Sequence, residues 1–238
     1  MLDFKNPECI ISLTSWKGRI YDPTVAKVLY SIFKQETQYR FKVVLVLSLQ
    51  EFPNKEKDLP DTINLFAENE LLEIIWVEKN LKAYKKLHYT IEKYPDLPIL
   101  TTDDDMLLNK DIVETYMNLS KKHPNTILSE DGFILHSSVL PISVTGWFRL
   151  YPPHSIRKAD EIEFAFWFKE TLEDDVYNGT LAYLANTKTM LKIHTRKLNQ
   201  LQTKNFVSTA FGKIYTRYNG KAIHDRFCKH LKTTGELK

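Results

Sequence analysis

The segment Phe41–Ser48 restricts the possible folds more than any other part of this chain, because both of its faces are apolar. A strand that is apolar on both faces is typical of a parallel sheet that helices cover on each side. Further predicted strands lie at 9–16, 72–77 and 97–101. Residues 24–35, between the strands at 9–16 and 41–48, carry apolar side chains at helical spacing. Strands that alternate with helices over about 100 residues predict an α/β fold with a mostly parallel sheet.

Three consecutive acids, Asp103, Asp104 and Asp105, directly follow the fourth predicted strand. Ligands of parallel sheets bind at the carboxyl ends of the strands, so we expect these acids to face Ser12–Arg19. Adjacent carboxylates at the edge of an apolar core repel one another, and a divalent cation relieves that repulsion. In an extended backbone Asp103 and Asp105 point to the same side. A D-x-D pair of this kind can hold Mg²⁺ or Mn²⁺ with nucleotide phosphates, and a loop or helix-cap role is the open alternative.

The second half of the chain is less regular. Strand-like patches in 126–153 predict a mixed sheet, and a helical pattern begins directly after Asp174 and Asp175. Past Lys188 the periodicity weakens, so that Leu191–His194 is interpreted as a strand and Lys221–Leu231 as a final helix.

Charge divides the chain into an acidic body and a basic tail. Residues 188–238 hold 12 Lys and Arg against two acids, a net charge of +10, whereas the remainder holds 21 basic and 28 acidic residues, a net charge of −7. Such a tail suits an anionic partner (phosphate, an acidic glycan, a membrane surface or nucleic acid) or is simply a solvated basic face. Cys9 and Cys228 are too few for a disulfide framework or a thiolate zinc site. Without a leader pattern or a membrane-length apolar run, we expect a cytoplasmic protein whose tail can contact the inner face of the cytoplasmic membrane.

Several familiar catalytic motifs are missing from the sequence. It contains no G-x-G-x-x-G, no G-x-x-x-x-G-K-[ST], no G-x-S-x-G and no H-E-x-x-H. Dinucleotide and Walker-type phosphate cradles, the α/β-hydrolase nucleophile turn and the common zinc protease site are therefore excluded. What remains is a group of acids at the end of a strand, followed by a second acid pair.

Seven sequence blocks in order resemble the bacterial GT-A-type, family-2-like glycosyltransferases of surface polysaccharide and lipopolysaccharide assembly. The blocks are Ile11–Trp16 with Arg19-Ile20, Ser31–Gln35, Val44–Ser48 with Glu51–Pro53 and Leu59-Pro60, Asn80–Leu87, Thr101–Asp105, Leu150–Pro153 and Asp174–Tyr177. Each block alone is weak, but their order along the chain makes the resemblance specific. It covers about residues 9–187.

This resemblance implies a single GT-A-like domain over 1–187, with a nucleotide half to about 108, a smaller mixed acceptor half, and a basic C-terminal extension over 188–238. It also implies a nucleoside-diphosphate sugar as donor, Mn²⁺ or Mg²⁺ as cofactor, and a glycan or lipid-linked glycan as acceptor. Nucleic acid is not an expected partner. Asp105 and Asp103 would bind the metal, and His224 or His194 would supply a further ligand.

The remaining roles follow from the same resemblance. Thr14, Arg19, Lys86, Asp103 and Asp104 would bind the nucleotide donor, with Asp103 at the ribose or at a water on the metal and Lys86 adding positive charge at the diphosphate. Alternatively, Arg19 is a solvated turn residue and Lys86 lies on an outer helix face. The acid pair stands where an inverting enzyme keeps the base that deprotonates the acceptor hydroxyl.

The acid pair leaves two interpretations open, because Asp174 and Asp175 also suit the N-terminus of a helix. We expect Asp175 to be the base.

Three other classes of protein are alternatives to the transferase. A sugar nucleotidyltransferase normally has a glycine-rich loop after its first strand, and a hydrolase with an Asp nucleophile has its acids at the first strand. A nucleic-acid or polysaccharide-binding module would use the basic aromatic tail and leave the strand-end acids unexplained.

Overall fold

The computed structural model of this chain describes residues 2, 3, 5–135, 142–157, 174–191, 193 and 198–200, together with 225, 229, 232 and 233. The helices are α1 (Pro23–Phe33), α2 (Asp61–Glu68), α3 (Lys85–Lys93), α4 (Ile112–Lys122) and α5 (Asp174–Leu184). The strands are β1 (Cys9–Thr14), β2 (Phe41–Ser48), β3 (Glu73–Val77), β4 (Ile99–Thr101), β5 (Met106–Leu108), β6 (Thr126–Ser129), β7 (Gly132–Leu135), β8 (Ile142–Thr145), β9 (Arg149–Tyr151), β10 (Lys188–Met190) and β11 (Leu198–Gln200).

A seven-stranded sheet in the order β10-β6-β9-β4-β1-β2-β3 forms the centre of the fold. Strand β9 runs antiparallel to its neighbours β4 and β6, and the other pairings in this sheet are parallel. The strand order reverses at β1, since β2 and β3 follow on one side of it and β4 lies on the other. Such a reversal opens a crevice at the carboxyl ends of the strands. Here that crevice lies between the ends of β1 and β4.

The sheet is covered on both faces, as the apolar pattern of its strands predicts. Ile11 and Leu45 pack into one core with residues of α1, α2 and α4. Ile10 and Val44, their neighbours along the same strands, pack into a second core with residues of α3 and α5. Side chains alternate between the faces of a strand, so two cores on β1 and β2 require a helix layer on each side. The predicted α/β fold class, a mostly parallel sheet with helices on both faces, is confirmed.

Helix α1 fixes the loop that enters the crevice from β1. The carboxylate of Asp22 accepts a hydrogen bond from the backbone N of Thr24 at 2.9 Å, and Pro23 occupies the first helical turn. Both features are typical of a helix N-terminus. The apolar stripe of this helix is buried against the sheet and consists of Val25, Val28, Leu29 and Ile32. The loop 15–22 is therefore held at one end by β1 and at the other by a capped, buried helix.

Several local predictions need correction. The strand predicted at Leu191–His194 lies earlier, at Lys188–Met190, and Leu191 is outside it. Strands β5 and β8 were not anticipated by the sequence pattern. Because β10 pairs with β6 in the central sheet, the segment expected to be a basic extension begins with a strand of that sheet.

Little of the basic tail falls within the described residues. Asp225 and Lys229 are helical, in agreement with the predicted final helix. His194, His224 and most of the predicted tail, including 201–224, lie outside the described residues. Across the described ranges, we find no helix with the length and apolarity that crossing a membrane requires.

Candidate active site

The three consecutive aspartates lie where β4 meets β5, at the crevice. Thr102 continues the β4 pairing by donating its backbone N to the carbonyl of Ser12 at 3.1 Å. The chain then turns at Asp104 and Asp105 before β5 begins. The alternation expected of an extended backbone therefore does not apply to Asp103 and Asp105. Each of the three acids instead has different neighbours.

Asp104 is held entirely by the loop between β1 and α1. Ser15 Oγ donates to Asp104 Oδ2 at 2.6 Å, and Arg19 Nη1 donates to Asp104 Oδ1. Burial raises the pKa of Asp104, although Arg19 and Ser15 act in the opposite direction. Both carboxylate oxygens thus accept a hydrogen bond inside the protein, so Asp104 orders the loop that carries Arg19. Its binding to the nucleotide donor stays a prediction.

Arg19 also reaches the third acid, with 3.7 Å between its Nη1 and Asp105 Oδ2. Burial lowers the pKa of Arg19, but the neighbouring Asp104 outweighs burial, so the net shift is upward. Arg19 is thus a partly buried member of the acid cluster and not a solvated turn residue. Thr14 is the other residue of this loop region that was predicted to bind the nucleotide. Its Oγ1 donates a hydrogen bond to the carbonyl of Val46 at 2.7 Å and so joins β1 to β2.

Lys86, in the first turn of α3, links the acids of the β4–β5 turn to those of α5. Its side chain is 4% exposed, and its Nζ lies 2.6 Å from Asp103 Oδ1 and 3.5 Å from Asp174 Oδ2. Burial lowers the pKa of Lys86, but the two carboxylates outweigh burial and the net shift is upward. The pKa of Asp103 shifts downward, because Lys86 and Arg149 outweigh the effect of its burial. The alternative of an outer-face lysine is wrong.

The acid pair of α5 meets a buried arginine from β9. Arg149 Nη2 lies 2.5 Å from Asp175 Oδ1, and Arg149 Nη1 lies 3.6 Å from Asp174 Oδ2. The side chain of Asp174 is 11% exposed and that of Asp175 is 30% exposed. Burial, reinforced by Asp174, raises the pKa of Asp175 to about 8 against the lowering effect of Arg149. Asp174 is therefore the inner carboxylate, shared by Lys86 and Arg149, and Asp175 is the outer one.

Arg149 and Ser15 are site residues that the sequence interpretation did not single out. Arg149 stands in Phe148-Arg149-Leu150-Tyr151, an otherwise apolar strand. A charged residue in a buried strand needs a buried partner of opposite charge, and this signal could have identified it. Ser15 offers no comparable signal, because small polar residues are common after a strand.

The formal charges of the cluster favour one more cation. Five carboxylates (Asp103, Asp104, Asp105, Asp174 and Asp175) meet three basic side chains (Arg19, Lys86 and Arg149). This leaves two negative charges when all are ionised, and one when Asp175, whose pKa is raised to about 8, is protonated. Mg²⁺ and Mn²⁺ prefer such oxygen ligands, and Mg²⁺ is often bound by one or two carboxylates together with substrate phosphates.

No group of three acidic, His or Cys side chains suited to hold a metal occurs among the described residues. A site with two protein carboxylates and a diphosphate needs no third. The carboxylate oxygens of Asp103 and Asp105 therefore fit a divalent metal as ligands, and the side chain of Asp103 is 31% exposed. Whether His224 adds a ligand stays a prediction, since that residue lies outside the described ranges.

The sequence matches no protein-family model, and no curated protein matches it. Similar solved structures include TarS of S. aureus, at 14% identity and a TM-score of 0.48 over 77% of this chain and 35% of that one. They also include the mannosyltransferase PcManGT from Pyrobaculum calidifontis in complex with GDP-Man and Mn²⁺, at 13% identity and a TM-score of 0.47 over 79% of this chain and 55% of that one. TarS 1-349 was also solved in complex with UDP.

A third similar structure is 4-diphosphocytidyl-2C-methyl-D-erythritol synthase, at 11% identity and a TM-score of 0.49 over 83% of this chain and 94% of that one. The chain spans between 35% and 57% of the length of the TarS structures it matches. At these identities and TM-scores the likeness is confined to the general path of the chain.

Proposed function

We propose that this chain is a glycosyltransferase that moves a sugar from a nucleoside-diphosphate sugar to a glycan or lipid-linked glycan of surface polysaccharide assembly. The observation that carries the proposal is the joining of two acid groups by buried cations. The acids of the β4–β5 turn lie at the strand-order reversal, where nucleotides bind in α/β sheets. Through Lys86 and Arg149 they are connected to Asp174 and Asp175, the acids in the first turn of α5.

On the donor side, Asp103 and Asp105 would hold Mn²⁺ or Mg²⁺ together with the diphosphate. When bound, the metal neutralises charge that develops on the leaving nucleoside diphosphate. Lys86 forms an ion pair with Asp103, and Arg19 forms ion pairs with Asp104 and Asp105. These cations hold the acids in place before any substrate arrives, so little reorganisation is needed on binding.

On the acceptor side, Asp175 would act as the general base of an inverting reaction. It is preferred to Asp174 because Asp174 is more deeply buried and lies near two cations, whereas Asp175 keeps 30% of its side chain exposed. The Asp175 carboxylate takes the proton of the acceptor hydroxyl while that oxygen bonds to the anomeric carbon. The bond from that carbon to the phosphate oxygen breaks, and its electron pair leaves with the nucleoside diphosphate.

A nucleotide-binding panel tests the proposal. UDP, GDP, CDP and ADP are each titrated into the full chain with Mn²⁺ or with EDTA, and binding is followed by calorimetry and thermal melts. We expect one nucleotide to bind only with the metal, and at 100-fold over its Kd it should stabilise the protein by about 2.7 kcal/mol. Asp103→Asn and Asp105→Asn should abolish this gain. Asp96→Asn, which changes an exposed acid outside the crevice, is the matched control and should retain it.

Two results would count against the transferase. Binding of no nucleotide in the presence of metal would remove its donor. Release of pyrophosphate from a nucleoside triphosphate and a sugar phosphate would favour the nucleotidyltransferase alternative instead. Deleting 201–238 separately tests the tail: loss of binding to anionic vesicles with unchanged nucleotide affinity would support a membrane-contact role for it.

A further inference from the structure

Arg149 is fixed by its backbone and by its own side chain. It opens β9 and is paired with Thr101 of β4 on one side and with Ser129 of β6 on the other. Its Nε donates to the carbonyl of Gly146, and the side chain is only 2% exposed. An arginine held this firmly presents its two Nη groups in one direction.

The Gly146 carbonyl that anchors Arg149 is itself constrained. Gly146 N donates to the carbonyl of Asp131 at 2.8 Å and to Ser129 Oγ at 2.9 Å. A Cβ atom on Gly146 would lie 2.9 Å from the backbone of Asp131, so only glycine allows this close approach. The support of the guanidinium thus extends from β9 into the loop that precedes it.

The two acids of α5 lie at different distances from Arg149. Asp174 Oδ2 lies near both Lys86 Nζ and Arg149 Nη1, at 3.5 and 3.6 Å. Asp175 makes its ion pair with Arg149, at 2.5 Å. Removing Lys86 would leave Asp174 a cation, whereas removing Arg149 would take away the ion pair of Asp175. Of the two cations, Arg149 is therefore the one that sets the direction of the Asp175 carboxylate.

Stability alone does not explain this arrangement. A buried ion pair is often no more stabilising than well-packed apolar residues of the same volume. Within the described structure, two buried atoms of this cluster also have no hydrogen-bond partner, namely Arg149 Nη1 and Asp174 Oδ2, whose ion contacts are 3.5 Å or longer. Polar atoms of this kind cost folding free energy, and their clustering beside a crevice is typical of a site that completes its hydrogen bonds with substrate.

We infer that Arg149 is the positioning residue of the base, holding the Asp175 carboxylate toward the acceptor hydroxyl, an inference that rests on the proposed function. The charged groups that act on Asp175 are Arg149 from β9, Asp174 on α5, Lys86 from α3 and Asp103 from the β4–β5 turn. Of these, the two acids disfavour the ionised carboxylate and the two cations favour it, with Arg149 the nearer cation. Without Arg149 the base would be both misdirected and protonated at a higher pH.

The test compares Arg149→Met and Arg149→Lys with the wild-type chain, with Arg40→Met as the matched control on an exposed ion pair. The measurements are kcat as a function of pH, acceptor KM, thermal melts, and the Kd of the nucleotide selected in the binding panel. We expect Arg149→Met to lower kcat by about 100-fold, the lower end of what a general base contributes. Its nucleotide Kd should be unchanged, and the acidic limb of its kcat profile should move to higher pH. Arg149→Lys should recover part of kcat, and Arg40→Met should match the wild type.

The outcomes separate this inference from the proposed function. If folded Arg149→Met keeps the wild-type kcat and pH profile, or loses nucleotide affinity as much as kcat, the positioning role is refuted and the transferase stands. If Arg149→Met does not fold, Arg149→Lys decides, because it retains a charge in the buried position: a lower kcat with a shifted acidic limb supports the role, and an unshifted limb refutes it. If the wild-type chain binds no nucleotide, the proposed function fails first and this inference fails with it.

Discussion

Replacing Lys86 by Met should destabilise the protein strongly, because it removes the cation between two buried acids. Asp103 and Asp174 would keep their charges with less compensation, at 2.6 and 3.5 Å from where the ammonium stood. Breaking a buried ion pair costs about 3–5 kcal/mol. We expect a value near the lower end, about 3 kcal/mol, because the side chain of Asp103 is 31% exposed and water screens part of the effect.

The matched control is Lys93→Met, a change of the same residue type in the same helix. The side chain of Lys93 is 49% exposed, and its partner Glu73 retains Lys42 Nζ at 3.1 Å and Tyr94 Oη at 2.6 Å. An exposed pair of this kind contributes at most about 1 kcal/mol. In a chain of this length 1 kcal/mol corresponds to a change in Tm of about 2–4 °C, so Lys86→Met should lower the Tm by about 6–12 °C and Lys93→Met by less than about 4 °C.

The assay is thermal and urea unfolding at neutral pH and again at about pH 3, below the ordinary pKa of an aspartate. The pKa of Asp103 is shifted downward in the folded wild type, so its contribution to stability is present above the ordinary pKa of an aspartate and is lost as the pH falls through the folded pKa. In Lys86→Met that contribution is absent at every pH. The difference between the two proteins should therefore be largest at neutral pH and should narrow as the pH falls below about 4. Equal losses in Lys86→Met and Lys93→Met, or a gap that does not change with pH, would refute the reasoning.

Two further predictions concern the acceptor side. Asp175→Asn should lower kcat by about 10²–10⁴-fold with an unchanged nucleotide Kd, as loss of a general base requires. Asp174→Asn should lower the Tm as well as kcat. Steady-state kinetics with parallel thermal melts would show the reverse pattern if Asp174 were the base. Gly146→Ala should cost about 1–3 kcal/mol in urea unfolding, because its Cβ would press on the backbone of Asp131, and kcat should fall too as the anchor of Arg149 moves; wild-type stability would contradict the close approach.

The apolar runs were sufficient to predict the central layers of this fold. Phe41–Ser48 is buried along almost its whole length, and neighbouring residues of β1 and β2 face opposite cores, as a strand with two apolar faces requires. The acids were correctly expected where β4 ends, because that expectation needs only the local sequence and the general behaviour of parallel sheets.

The partners of those acids could not be predicted in the same way. Strands β5 and β8 have only three or four residues each, too few for a periodic pattern to stand out from chance. The neighbours of β9 depend on long-range pairing, which no local window contains. The turn at Asp104 and Asp105 was missed for a related reason: a two-residue turn changes the direction of every following side chain but leaves the composition of the segment unchanged.

The direction of β9 explains why an arginine so far along the chain reaches the acids. In the parallel strands β4 and β6 the crevice lies at the last residues, Thr101 and Ser129. An antiparallel strand between them presents its first residue at that same edge, and the register pairs Arg149 with both. Had β9 run parallel, Tyr151 would occupy the crevice end and Arg149 the opposite edge of the sheet, about two residues or roughly 7 Å away. One reversed strand in an otherwise parallel sheet thus places a cation between the acids of the β4–β5 turn and those of α5, and the proposed chemistry depends on that reversal.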